Sequence, residues 1–287
     1  MTVASARSRG ARIRSNLFAY ANLAPYMFFV LFPFYFMVVT SFKSNAELYN
    51  LKSIPFWIQS GVIMDHYALL FQKTDFVTWM KNSLLVAVVA TTTSVVISIL
   101  AGYSLARLRF RGAGSFGTAV FVTYLVPPTL LFLPLSQVVV WLGLADSVVA
   151  LMVTYPTFLV PFCTWLLMGY FRTIPREVEE CALVDGATRM RTLWKVVLPM
   201  AVPGIICAVL FSFTLCWNEF TYALTFISQS VHKTAVVGVT SDLIRGDIYF
   251  WGSLMAGALL ASIPIVIIYV LFLDYYVSGL TAGAVKG

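Results

Sequence analysis

Long apolar runs, uncharged except for Glu219, alternate with polar segments along this chain, and the alternation sets the expected architecture. The runs lie at about 17–41, 82–106, 116–142, 147–171, 199–227 and 248–273. Each is long enough to cross a hydrocarbon core, which takes about 20 helical residues. A chain in lipid must satisfy its backbone polar groups internally, so these runs predict helices. The expected fold is an all-α integral membrane protein with six transmembrane helices and a polar helix–turn–helix between the fourth and fifth.

The third run sits inside an uncharged stretch, Gly112 to Ala145, that is too long for one straight span and is interrupted by Pro127, Pro128 and Pro134. Proline frees backbone carbonyls, tolerated in a membrane only where protein or water satisfies them, so a broken helix lining the interior is expected. The second run is rich in Thr, Ser, Ala and Val. Small residues of this kind let membrane helices pack closely. Residues 42–81 are polar and mixed in charge, and read as an outer loop with short interfacial helices. Residues 228–247 read as a second outer loop.

Composition agrees. Of 287 residues, 60% are hydrophobic and 11% charged, against about 25% charged in soluble domains. The formal net charge of +7 does not point to nucleic acid, because the cations cluster beside apolar runs. Thirteen of the nineteen Lys and Arg fall in residues 1–16, in Arg107–Arg111, in residues 172–198 and at Lys286. Cationic short loops face the cytoplasm, so the polar elbow and both termini are expected there. Residues 1–16 form a basic tail. The apolar run that follows exceeds the about 7–15 residues of a cleavable signal, so an uncleaved first span is expected.

No Gly-rich phosphate loop, Cys/His metal spacing or hydrolytic triad is present, so no catalytic residue, metal site or bound cofactor is expected of this chain. His66 and His232 are isolated and read as solvated loop residues. Cys163, Cys181, Cys207 and Cys216 read as small buried hydrophobes, and no disulfide is expected.

The elbow, Arg176 to Pro199, interrupts two apolar runs with three glutamates, an aspartate and four cations. Pro175 suits a first helical turn, and Glu177, Glu179 and Glu180 suit a helix N-terminus. Val178, Cys181 and Ala182 share one helical face, small enough for close approach by a partner. Asp185-Gly186 reads as a break, since glycine accepts positive φ. Met190, Leu193, Trp194 and Val197 then recur at helical spacing, with Arg189, Arg191 and Lys195 interleaved.

This segment resembles the EAA loop of ABC importer permeases. Glu180, Cys181 and Ala182 stand at its leading positions, Gly186 at its glycine, and Val196, Leu198 and Pro199 at its end. Trp217–Phe220 (W-N-E-F), the W-G-S-L-M-A-G of residues 251–257 and the ending G-L-T-A-G-A-V-K-G of residues 279–287 resemble the carbohydrate-uptake branch. The similarity is to the smaller permease of maltose-type, binding-protein-dependent sugar importers, and runs from about Leu17 onward.

The resemblance implies a multi-pass subunit of a bacterial or archaeal plasma membrane, moving a sugar or sugar derivative inward. Its implied partners are a second related permease, membrane lipid, two ATPase subunits that carry the ATP and Mg, and an extracytoplasmic solute-binding protein. Residues 172–198 become the coupling loop. ATPase docking is implied for Glu179, Glu180, Cys181, Ala182, Asp185, Gly186 and Ala187. Glu180 would pair with a basic group, Ala182 would permit close approach, and Gly186 would set the angle of the elbow. Trp217, Asn218 and Glu219 are the candidate translocation path, with Tyr124, Tyr155 and Trp165 as further aromatic faces. In the maltose-type pattern the larger partner permease supplies the membrane sugar site, so little substrate selectivity is expected here. The alternatives are an importer of a non-sugar solute and an ion-coupled secondary transporter. The latter needs ionisable groups along an intramembrane pathway, and only Glu219 lies in a predicted span.

Overall fold

The structure is a computed structural model and describes residues 9–245 and 248–281. In chain order its helices are α1 (Arg9–Ser41), α2 (Asn45–Leu48), α3 (Asp65–Lys73), α4 (Phe76–Arg107), α5 (Ala113–Leu125), α6 (Pro128–Trp141), α7 (Val148–Thr154) and α8 (Pro156–Thr173). They continue as α9 (Arg176–Val184), α10 (Arg189–Thr192), α11 (Leu198–Trp217), α12 (Thr221–Phe226), α13 (Ala235–Asp242), α14 (Trp251–Leu271) and α15 (Leu273–Thr281). A π-helical turn, Leu193–Val197, joins α10 to α11. Two-residue strands, Ile244–Arg245 and Ile248–Tyr249, are the departures from an all-helical chain among the described residues.

Five helical stretches among these residues are long and apolar enough to cross a membrane: Asn16–Ser41, Phe76–Arg107, Val148–Thr173, Arg189–Trp217 and Trp251–Leu271. Helices α5 and α6 make a sixth if they form one span, bent by 95°. The bend falls at Val126-Pro127, both in extended conformation. A proline disfavours the α region for the residue before it, and Pro128 then opens α6 where its missing N–H costs no hydrogen bond. Pro134, expected to interrupt, stays inside α6.

Two boundaries depart from the hydropathy pattern. The second span starts at Phe76 rather than near 82, with Lys81 inside the helix. A lysine stem can lie along an apolar surface while its charge reaches water, so one lysine does not end a helix. The fifth helix ends at Trp217 rather than near 227, and residues 221–226 form the separate α12.

The chain divides into two compact units, Met1–Lys73 with Gly246–Leu260, and Thr74–Arg245 with Ala261–Gly287. In the larger unit α4 packs against α8, α11 and α7, and α11 against α15. The small residues of α4 act as expected. A Cβ on Gly102 would lie 3.2 Å from Met168 N and 3.3 Å from Thr164 O, so the two helix backbones nearly touch. Ser98 Oγ adds a hydrogen bond to Val160 O at 3.1 Å. Two apolar clusters form, one around Leu151, Tyr155, Trp217 and Tyr222, the other around Leu167, Phe171, Leu193 and Val197.

In the smaller unit the loop after α1 is held by a buried ion pair, Lys43 Nζ to Glu47 Oε1 at 3.2 Å. Glu47 also accepts hydrogen bonds from Gln59 N, Ser60 N and Ser60 Oγ at 3.0, 3.0 and 2.6 Å. Burial alone would raise the Glu47 carboxyl. The Ser60 hydroxyl, the two backbone N–H groups and Lys43 outweigh it and bring its pKa down to about 2. His66, expected in solvent, is buried against Ser253 Oγ (3.1 Å) and Lys43 O (2.8 Å). A histidine can be buried when both ring nitrogens are satisfied, and here the partners come from distant segments.

Candidate functional site

The elbow folds as a helix, a tight turn and a second helix. Pro175, extended, immediately precedes α9, where its missing donor costs nothing. At the other end Gly186 has φ 82°. Its N–H bonds Leu183 O at 3.1 Å, and Ala187 N–H bonds Ala182 O at 3.0 Å. This pair of bonds closes a helix on a left-handed glycine and satisfies its last carbonyls. Thr188 Oγ1 then accepts Arg191 N–H at 3.3 Å and caps α10. The break at Asp185-Gly186 is thus where local turn chemistry put it.

The two neighbouring glutamates of α9 face opposite ways. Glu180 is exposed, while Glu179 is 7% exposed. Glu179 Oε1 lies 2.8 Å from Arg107 Nε, and Oε2 accepts the Tyr103 hydroxyl at 3.2 Å. Arg107 also donates to Ile174 O, just before α9. Glu179, expected on the docking surface, is therefore an internal strut between α4 and α9. One helical position is a rotation of about 100°, enough to move a side chain from the inner to the outer face. The elbow helix thus stands on a fixed base.

The outward face carries Glu180, Cys181, Asp185 and Gly186, with Ala182 and Ala187 half-buried. Val178, Val184, Met190 and Trp194 are exposed around them, while Leu193 and Val197 enter the core. The expected apolar stripe on the second helix is therefore split between inside and outside. The π-helical turn contains both buried members and one exposed one. Cys181 is exposed, whereas Cys163, Cys207 and Cys216 are buried, so one of four cysteines departs from expectation. Beside α9 a cleft of about 870 Å³ is lined by Arg107, Arg109, Arg176, Glu179, Glu180 and Arg189.

The three candidate path residues separate. Trp217 is buried, stacked on Phe213 at 5.5 Å, with Nε1–H donating to Ala261 O at 3.0 Å. Asn218 is exposed, and its amide returns to Thr214 O at 3.0 Å. Glu219 closes the N-terminus of α12, accepting Tyr222 N–H at 2.9 Å and Ala223 N–H at 3.1 Å. It also accepts the Tyr155 hydroxyl at 2.9 Å. A carboxylate suits free N–H groups at a helix start. Glu219 lines a cavity of about 350 Å³ with Tyr124, Phe158, Phe162 and Phe211. Tyr155 is fully buried, and Trp165 packs on Phe121 at 4.5 Å. Of the sequence candidates, Glu219 and Tyr124 share a cavity; Trp217 does not line it.

The start of the second predicted outer loop, residues 228–232, is pinned by a residue that the sequence pattern does not single out. Asp146, at φ 58°, accepts N–H groups of Ser228 and Gln229 at 2.8 and 2.9 Å and faces His232 Nδ1 at 3.3 Å. The Gln229 and Ser228 N–H groups hold its carboxyl below the usual range. His232, expected free in solvent, is partly buried in this pairing. The signal was faint: an aspartate beside Gly143 in a short turn.

Residues 94–281 match the family described as binding-protein-dependent transport system inner membrane component. The chain belongs to this family. It is a permease of the ABC importer type. It is 35% identical, over 96% of its length and 98% of the relative's, to the inner membrane ABC transporter permease protein YcjP of Escherichia coli (strain K12). Identity is also 35% to the trehalose/maltose transport system permease protein MalG of Thermococcus litoralis, covering 90% of this permease and 92% of the relative. The fold is shared with a bacterial ABC transporter involved in import of the acidic polysaccharide alginate, with a TM-score of 0.76 at 22% identity, covering 94% of this permease and 99% of that chain. Of the branch-like ending, residues 279–281 complete α15 and 282–287 lie outside the described residues.

Proposed function

We propose that this permease moves a sugar or sugar derivative inward across a bacterial or archaeal plasma membrane. Relatives named for sugar transport support that class: sulfoquinovosyl glycerol in Agrobacterium fabrum, diacetylchitobiose in Streptomyces coelicolor, and trehalose/maltose in Thermococcus litoralis. The elbow, on the cytoplasmic side, docks in a cleft of a partner ATPase, and a second permease and an extracytoplasmic binding protein complete the assembly. ATP and Mg act on the ATPase pair, and this chain transmits the resulting motion.

The observation that carries the reading is the division of labour on α9. Glu179 is locked to Arg107, so force applied at the exposed face reaches α4 through a buried ion pair. Glu180, Cys181 and Ala182 are left outward for the partner. Glu180 meets a basic group there, Ala182 permits approach, and Gly186 directs α10. Asp185 and Ala187 frame the turn. Glu219, bound by two N–H groups and a hydroxyl, holds the wall of the aromatic cavity that faces the path, and Asn218 is the exposed residue before it.

The test is Glu180→Lys in the assembled complex, reading binding-protein-dependent ATP hydrolysis and sugar uptake in vesicles. Loss of both, with the permease still in the membrane, is expected. Unchanged uptake and hydrolysis remove the assignment.

A further inference from the structure

The cleft beside α9 shares Arg107, Arg109 and Arg176 with an adjoining cavity of about 830 Å³, which five arginines line: Arg107, Arg109, Arg111, Arg172 and Arg176. Arg107 is neutralised by Glu179, and Arg172 contacts Met168 Sδ. Arg109, Arg111 and Arg176 have no acidic partner within ion-pair distance among the described residues. Guanidinium groups converging on one concavity repel one another unless an anion joins them, and arginine's fork of donors matches phosphate oxygens.

The cavity is not purely polar. Its other walls are Leu105, Ala106, Leu108, Phe110 and Ala113. It meets a groove of about 340 Å³ that shares Leu105, Ala113 and Arg172 with it. That groove runs along α5, over Gly114 and Gly117, to the Phe121–Trp165 pair. A Cβ added at either glycine meets nothing within 4 Å, so the small residues leave open space rather than a packed contact. An arginine-lined head thus opens onto a groove of mixed polar and apolar lining, with Phe121 and Trp165 at its far end, that follows α5.

We propose that this site binds an anionic phospholipid, its phosphate among Arg109, Arg111 and Arg176 and an acyl chain in the glycine-floored groove. Charge complementarity selects an anion, and the adjoining groove, with Leu105, Phe121, Trp165 and Met168 among its walls, selects a lipid over a soluble phosphate. Basic pockets between membrane helices at the membrane surface hold anionic headgroups for the same electrostatic reason. The site is separate from the solute path and does not depend on which solute is carried.

The experiment is native mass spectrometry of the assembled transporter, delipidated and re-exposed to dioleoyl phosphatidylglycerol, dioleoyl phosphatidylcholine or inorganic phosphate. The wild type is expected to retain phosphatidylglycerol in preference to phosphatidylcholine. R109Q/R111Q/R176Q should weaken that retention by roughly a hundredfold, given the attraction of each cation to an anionic lipid surface. R109K/R111K/R176K should keep most of it. Gly117→Leu, which fills the groove and leaves every arginine in place, should lower lipid retention without changing phosphate binding. If the triple glutamine variant does not assemble, the Gly117→Leu result stands alone. Equal retention of the two lipids, or retention unaffected by Gly117→Leu, overturns the proposal. Inorganic phosphate bound without retained lipid makes this a soluble-anion site and also overturns it. Lipid held by the separate permease but absent from the assembled transporter shows that a partner subunit occupies the groove, and likewise overturns it.

Discussion

Arg107 and Glu179 meet at 2.8 Å with their side chains only 4% and 9% exposed, joining the end of α4 to the first turns of the elbow helix. The next residue along, Glu180, faces outward. Charge at two adjacent positions therefore has two settings, one inside the subunit and one on its surface, where the proposed docking would use it.

The pair predicts different failures for the two glutamates. Glu179→Ala leaves Arg107 buried without its counter-ion, and removing one partner of a buried pair costs about 3–5 kcal/mol. The purified permease should melt at a distinctly lower temperature. Glu180→Lys should leave the melting temperature unchanged and abolish ATP-driven uptake. Equal melting temperatures for both variants contradict the strut.

Gly186 predicts an order of tolerance. With φ 82° and no neighbour within 4 Å of an added Cβ, the cost of substitution is in the backbone rather than in packing. A non-glycine residue in this region costs on the order of 1–3 kcal/mol, most for β-branched types and least for asparagine. Uptake should fall in the order Gly, Asn, Ala, Val. Full activity in Gly186→Val shows that the elbow does not need this turn.

Cysteine exposure supplies a test of sidedness. Cys181 is exposed and the other three cysteines are buried. A membrane-impermeant maleimide should label inverted vesicles that carry the permease without its ATPase and spare intact cells, with Cys181→Ser removing the signal. Labelling in intact cells instead would turn the topology over.

Glu47 predicts acid resistance of the loop it organises. Its folded pKa of about 2 lies below its ordinary value of 4.5, so its contribution is complete above pH 4.5 and is lost as pH falls toward 2. Protease resistance of residues 45–60 should persist at pH 5 and decline across that lower window. Glu47→Gln should be less resistant at pH 7 and show little further change on acidification. A wild-type transition centred near pH 7 contradicts this assignment.

Trp217 and Asn218 should behave as unlike residues. Trp217→Ala opens the core beside Phe213 and strands Ala261 O, and large-to-small changes of this kind cost about 3–5 kcal/mol. Asn218→Ala removes an exposed side chain and should leave stability unaltered. Neither should reorder sugar preference in competition assays on the reconstituted complex, and a reordering would place this chain in the selective site.

Hydropathy and turn chemistry by themselves located the apolar spans, though not the start of the second or the end of the fifth, and the elbow's break at Asp185-Gly186 and the broken third helix. Each of these depends on neighbours within a few residues: an uncharged run, a glycine after a helix, a proline pair. The resemblance to the EAA loop spread the docking role over Glu179 and Glu180 alike, because a motif places charges on α9 without showing which of them α4 would cover. Only the tertiary structure decided that Glu179 turns inward, since its partners Tyr103 and Arg107 lie more than seventy residues earlier in the chain. It likewise buried His66 against Ser253, 187 residues away, and gave Glu219 to the N–H groups of α12 and to Tyr155. A buried polar group is stable only where its partners converge. That convergence comes from helix packing, which a one-dimensional pattern does not contain.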